Sequence, residues 1–229
     1  MPVFVLGWPF AAWAYRPFDS TDASVADLNS FEIELSPLSY RHDGEGVALI
    51  APQARLNYGF AENWEVVLEG QADHFAHGRD ELSAAELSVK TIHHEGSLQE
   101  KTGASLASEF SILLPGSRTD DGAGFQWTGI ASQRWEEGAV HLNIGAALSR
   151  DQRAVAFAGL IVEGPDDWTV RPVAELTYER EFGAGEEAGV LAGLIWKAGE
   201  HLAVDLAVRH GLSEGHSDDQ VRAGLTFGL

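Results

Sequence analysis

From Phe31 to the C-terminus, apolar residues recur at every second position through stretches of about ten residues, and this dyad pattern constrains the fold more than any other feature. In PQARLNYGF, Pro52, Ala54, Leu56, Tyr58 and Phe60 share one face, while Gln53, Arg55 and Asn57 share the other. WEVVLEGQAD repeats it, with Trp64, Val66, Leu68, Gly70 and Ala72 opposite Glu65, Val67, Glu69, Gln71 and Asp73. Each segment therefore has an apolar side and a polar side, at about the length with which a tilted strand crosses a bilayer. Only Ala61-Glu62-Asn63 joins the two segments, which predicts a tight antiparallel hairpin.

Continuing the count gives strands near 31–40, 47–60, 64–74, 84–93, 102–114, 125–135, 139–149, 154–163, 168–180, 188–197, 201–210 and 220–229. That is about twelve, an even number, as single-chain bacterial barrels have. The expected class is all-β: a single-chain transmembrane antiparallel β-barrel wound as an up-and-down meander over 31–229. With the chain starting in the periplasm, the turns after even-numbered strands are AEN (61–63), EEG (136–138), GPDD (164–167) and AGE (198–200), with only HHEGSLQEKTG longer. The opposite connections, RHDGEG, HFAHGRDEL, PGSRTDDGAG, FGAGEE and GLSEGHSDD, read as longer, acidic outer loops.

Composition excludes other classes. With 15 Lys+Arg against 35 Asp+Glu, a formal charge of -20, the chain has no basic face for nucleic acid. The 45% hydrophobic content is too high for a disordered chain. No Cys is present, so disulfides, thiolate metal sites and thiol nucleophiles are absent together. No apolar run reaches the length of a spanning helix, which leaves strands as the means of crossing.

The opening MPVFVLGWPFAAWA has signal-peptide length and ends on the small-x-small Ala12-Trp13-Ala14, so residues 1–14 are expected to be removed on export, although no positive residue precedes Arg16. Residues 15–30 are then a periplasmic N-terminal segment ahead of the barrel. The expected location is the cell outer membrane of a Gram-negative bacterium. Aromatic residues agree with it: Tyr58, Phe60 and Trp64 flank one short turn, and Trp135, Trp168 and Trp196 stand beside three others, forming a girdle at the headgroup boundary. The last segment, VRAGLTFGL, is an amphipathic strand with an apolar terminal residue, of the kind that outer-membrane assembly machinery reads.

Two stretches carry a family resemblance. RPFDSTDASVADLNSFEIELSPLSY supplies an RP-x-x-STDA opening and a strand of the FEIEL type, and APQARLNYGFAENWEVVLEG supplies a P-x-x-x-x-NYG-x-x-x-NWE-x-x-x-E hairpin. Over residues 16–70 the chain resembles the MetA-pathway of phenol degradation family. The resemblance implies a single-chain outer-membrane barrel and the transport of aromatic or other small hydrophobic compounds. It carries no catalytic residues.

The polar face of a barrel is its interior. Parity assigns to the lumen Arg55, Glu65, Glu69, Asp73, Glu86, Lys90, Glu109, Arg134, Arg171, Glu175, Glu179, Asp205, Arg209 and Arg222, with His141 and Asn143 among their neighbours. The arginines are expected to pair with acidic neighbours, either bracing a closed barrel or forming a polar constriction. An open acidic lumen favours cations or neutral solutes over anions, with Glu69 and Glu175 as its first candidate determinants. His141 with Ser132 or Ser149 suggests a Ser–His hydrolase, but parity puts His141 in the lumen, away from the lipid surface where a lipid-acting barrel works, so no enzyme is expected. Neither the scattered His74, His77, His93, His94 and His216 nor the acidic pairs Asp120-Asp121, Glu186-Glu187 and Asp218-Asp219 form a metal motif, so no metal or cofactor is expected. Those acidic pairs are candidates for cation bridges to lipopolysaccharide. The expected partners are outer-membrane lipid, lipopolysaccharide, assembly machinery and a small solute. Two alternatives stay open: a non-transporting structural barrel, and a soluble periplasmic barrel with inverted faces that buries Leu56, Leu68, Leu176 and Leu206 around an apolar ligand.

Overall fold

The structure is a computed structural model that describes residues 16–43, 46–75, 80–117, 122–213 and 218–229. Twelve strands follow one another: β1 (Phe31–Asp43), β2 (Gly46–Ala61), β3 (Trp64–Phe75), β4 (Glu81–His94), β5 (Ser105–Leu113), β6 (Gly124–Trp135), β7 (Gly138–Leu148), β8 (Ala154–Glu163), β9 (Val170–Glu181), β10 (Gly185–Lys197), β11 (Leu202–Gly211) and β12 (Asp219–Gly228). Each pairs antiparallel with its sequence neighbours, and β1 pairs with β12, closing a barrel without an edge. Closure is completed at the chain ends, where Phe31 and Leu229 exchange both backbone hydrogen bonds.

The dyad pattern sorts as the sequence requires. Leu56, Leu68, Leu176 and Leu206 lie outside, at 38%, 52%, 50% and 57% exposure, amid a belt of other exposed leucines, valines and aromatics. The inverted soluble barrel is thereby overturned, because water would meet an apolar band on every strand whereas a bilayer solvates it. Inside, Glu65, Lys90, Glu109, Glu175 and Asp205 are buried.

Local sequence sets the turns at the end where the chain termini of the barrel meet. Glu62-Asn63 closes β2 to β3 with Asn63 at φ 63, a left-handed position that Asn tolerates. Gly138, at φ 150, opens β7 against β8, where a Cβ would stand 2.2 Å from the Glu163 carbonyl oxygen.

Two expectations are corrected. The short-turn and long-loop asymmetry is blunted, because β1 and β2 run on to Asp43 and Gly46, and β9 and β10 to Glu181 and Gly185, so most of RHDGEG and half of FGAGEE are absorbed into strands. Backbone pairing continues past the length that a bilayer demands, and charged residues ride on it. Register shifts in β1 and β2, between Leu35 and Leu38 and between Ile50 and Gln53, also reverse parity, so Ser39 and Ile50 are buried inside above the shift, whereas Glu34 and Asn57 are buried inside below it. The signal-peptide reading, His77, His216 and Asp120-Asp121 lie outside the described residues.

Candidate functional site

The lumen wall is a set of shared ion pairs. Arg55 on β2 reaches Glu69 at 3.0 Å, Glu109 at 3.2 Å and Glu34 at 3.5 Å, tying β1, β2, β3 and β5 across the interior. Arg209 on β11 meets Glu187 at 2.7 Å and also Asp218. Arg171 meets Glu163 at 2.8 Å, and Arg134 meets Asp166 at 3.3 Å. Gln71 donates to Asp73, and Ser88 donates to Glu86. Glu179 lies directly across from Glu187 in the β9–β10 register, which sets two carboxylates side by side.

Residues 16–26 of the segment expected in the periplasm lie inside the barrel, and Asp27, Leu28 and Asn29 beyond them are exposed. Arg16 donates through Nε to Asp205 at 3.3 Å and through Nη1 to Gln53 at 3.2 Å. The Asp19 carboxylate is gripped by Arg222 at 2.6 Å and Arg209 at 2.9 Å. Further along, Lys90 donates to the Thr21 hydroxyl at 3.1 Å and stands 3.6 Å from Asp22 and 3.7 Å from Glu65. The physical reason for the correction is that buried charges gain from further partners, and this segment adds them: Arg16 for Asp205, Asp19 for Arg222, and Asp22 for Lys90 beside Glu65.

Main-chain contacts continue the grip. The backbone N–H groups of Asp19 and Ser20 donate to the two oxygens of Glu175 at 2.8 Å each. Thr21 N–H donates to Asn143 Oδ1 at 3.3 Å, and Asn143 Nδ2 returns a bond to Thr21 O at 2.7 Å. Ala23 N–H donates to Ser132 Oγ at 2.9 Å and Ala26 N–H to Glu65 Oε2 at 2.7 Å. Strand glycines make room for the crossing: a Cβ at Gly224 would stand 2.1 Å from Arg16 Nε, one at Gly159 would stand 1.9 Å from Ser20 Oγ, and one at Gly59 would stand 2.2 Å from the Asp27 carbonyl.

The segment divides the interior. A chamber of about 570 Å³ opens among the turns, lined by Asp22 and 24–28 of the segment with Glu62, Arg134, Arg171 and Lys197. A second chamber, of about 470 Å³, opens toward the outer loops, lined by Asp19, Ser20 and Thr21 with Arg55, Glu86, Glu179 and Arg209. Among the described residues, the two share no lining residue. A third space of about 250 Å³ lies beside residues 16–21, against Glu34, Arg41 and Gln53.

Sequence parity placed the fourteen charged candidates on the inner face, where the structure has them, but missed Arg16, Asp19 and Glu163. Glu163 completes a buried chain: Ser132 Oγ lies 2.8 Å from His141 Nδ1, and His141 Nε2 lies 3.1 Å from Glu163 Oε1. The neutral Nε2–H tautomer satisfies both contacts, with Ser132 donating to the ring and accepting from Ala23. Ser132 is thus an anchor for the segment, with its oxygen covered. On the outer face, Phe60, Trp64, Trp135, Trp168 and Trp196 are exposed beside the turns, and Tyr58 stacks on Phe31 at 4.4 Å.

No family model and no curated protein matches the chain. Solved structures do. An outer membrane channel from Pseudomonas putida F1 is 9% identical, with a TM-score of 0.68 over 93% of this chain and 100% of that one. The KdgM porin in complex with disordered oligogalacturonate is 11% identical, with a TM-score of 0.60 over 86% and 98%. The translocator domain of the autotransporter NalP from Neisseria meningitidis is 12% identical, with a TM-score of 0.54 over 86% and 88%. At these identities the likeness is one of fold: the closed antiparallel barrel of outer-membrane proteins.

Proposed function

We propose that the chain is an outer-membrane channel for small solutes, held closed in this conformation by its own N-terminal segment. The observation that carries the reading is the pair of chambers on opposite sides of residues 19–26, within a barrel whose exterior suits lipid and whose interior is charged. Channels and porins share this fold, which supports the reading; an autotransporter translocator shares it too, so the weight falls on the chambers. The finer reading, membership of the MetA-pathway family and passage of aromatic or hydrophobic solutes, rests on the motifs of residues 16–70. Removal of residues 1–14 on export, recognition of the C-terminal strand by assembly machinery, and contact of the acidic outer residues with lipopolysaccharide through cations belong to the same proposal.

Planar-bilayer recording tests it. The full chain gives small, infrequent openings, and a chain with residues 17–27 replaced by a Gly-Ser linker gives conductance several times larger. A correctly folded linker variant that passes no current is a structural barrel, and the channel reading falls.

A further inference from the structure

The segment is held in an unusual way for a piece of chain inside a barrel. Among the described residues, no strand pairs with it until Leu28, which forms a parallel bridge to Gly59. Instead, wall side chains read its backbone. Five N–H groups, those of Asp19, Ser20, Thr21, Ala23 and Ala26, donate to Glu175, Asn143, Ser132 and Glu65. Three carbonyls, those of Pro17, Thr21 and Ala23, accept from Arg222, Asn143 and Gln99. These partners come from β3, β6, β7, β9 and β12 and the loop after β4, so they form a path around the interior rather than one local cap. Backbone groups are common to every peptide, so such a path recognises the main chain first and side chains second. Side-chain recognition is concentrated at three points: Arg16 against Asp205 and Gln53, Asp19 between Arg209 and Arg222, and Thr21 with Asp22 beside Lys90.

We infer that the lumen wall is a binding track for a peptide main chain, occupied here by the chain's own residues 17–26, which bend at 19–20 and 23, and open to a second peptide when that segment leaves. The ligand class is a short polypeptide able to follow the same bent course, with a carboxylate side chain placed for Arg209 and Arg222. The track lies in the lumen of the proposed channel, but its test reads binding rather than current.

The test keeps the wall intact and weakens only the resident segment. Ser20→Pro, Ala23→Pro and Ala26→Pro together remove three of the five donors from a full-length chain, and heat-modifiable gel mobility verifies that the barrel has closed. A fluorescein-labelled synthetic peptide of residues 16–28 is then titrated against the detergent-solubilised protein by anisotropy. It binds the proline variant saturably and the wild type at least tenfold more weakly. Methylation of the peptide nitrogens at Ser20, Ala23 and Ala26 weakens binding by about 700-fold or more, at roughly twelvefold for each bond to the Glu175 and Glu65 carboxylates and roughly fivefold for the bond to Ser132. Should the proline variant fail to close, the chain with 17–27 replaced by a Gly-Ser linker takes its place with the same peptides. No saturable binding to a closed variant, equal binding to the wild type, or indifference to N-methylation would each overturn the track. Binding without conductance leaves the track standing and removes the channel.

Discussion

Glu175→Gln offers the sharpest test of how the segment is held. The two Glu175 oxygens accept the Asp19 and Ser20 N–H groups at 2.8 Å each, a fork in which both bonds are charge-assisted. Such bonds contribute about 1.5–3 kcal/mol apiece, and an amide keeps one neutral acceptor while turning its NH2 toward the second donor. The net loss is about 3 kcal/mol, a roughly 150-fold rise in the detached population at 1.36 kcal/mol per factor of ten. The chain has no Cys, so Ser20→Cys introduces a unique thiol at a buried, nearly isosteric position whose backbone donor survives. When detachment is fast relative to labelling, the rate of modification by a maleimide reports the detached fraction. That rate should rise about two orders of magnitude when Glu175→Gln is added to Ser20→Cys. Glu179→Gln, which alters a lumen carboxylate on the same strand, is the control and leaves the rate within a few-fold. Equal labelling in the Glu175→Gln and control backgrounds would refute the idea that the carboxylate fork anchors the segment.

Further predictions address the wall, the crossing and the exterior. Arg55→Met strands Glu34, Glu69 and Glu109 around a vanished cation and should cost about 3 kcal/mol, the low end for a broken buried pair because lumen water reaches the guanidinium; a lowered urea midpoint in detergent reports it. Gly159→Val drives a side chain into the position of Ser20 Oγ, so the segment must shift, and bilayer conductance should rise with the urea midpoint little changed. Leu176→Arg puts a charge on the lipid-facing side of mid-β9 and should destabilise the barrel by about 2–4 kcal/mol in a vesicle-unfolding assay.

The barrel was legible because its period is physical. An outward residue must be apolar and an inward one can be charged, so twelve alternating stretches announce twelve strands, and their limits agree with the structure to within a few residues. The register shifts were less legible, because each adds a residue without an apolar or polar signature of its own; Ser39, Ile50 and Arg41 change sides there. The route of residues 16–30 was hidden for a different reason. RPFDSTDASVADLNS has neither period, and its contacts are made by backbone groups that every sequence has. What the sequence did show was the other half of those contacts: Glu65, Glu175 and Asn143 stood on the inner face as acceptors without an evident donor. Glu163 was hidden by position, at the last residue of β8 beside a turn.

Those pairings change what the lumen's acidity can do. Counted from sequence, Glu69 and Glu175 look like the determinants of cation preference. In the structure Glu69 is neutralised by Arg55, and Glu175 accepts two backbone donors from the segment, so neither offers a free charge to a passing ion while the segment is in place. The outer chamber is different. Seven carboxylates line it against Arg55, Arg209 and Arg222. Arg209 is shared among Asp19, Glu187 and Asp218, which among the described residues leaves Glu179 opposite Glu187 without a cation of its own on either neighbouring strand, and Glu86 accepts from the Ser88 hydroxyl. Unbalanced negative charge therefore collects toward the outer loops, where an ion meets it before it meets the segment, and a field there raises local cation concentration without requiring a fit at the waist. The expected outcome is that Glu86→Gln with Glu179→Gln shifts the reversal potential toward anions more than Glu69→Gln does, in a linker variant that conducts. If Glu69→Gln shifts it more, the selective charge lies at the Arg55 cluster and that ion pair opens when the segment leaves.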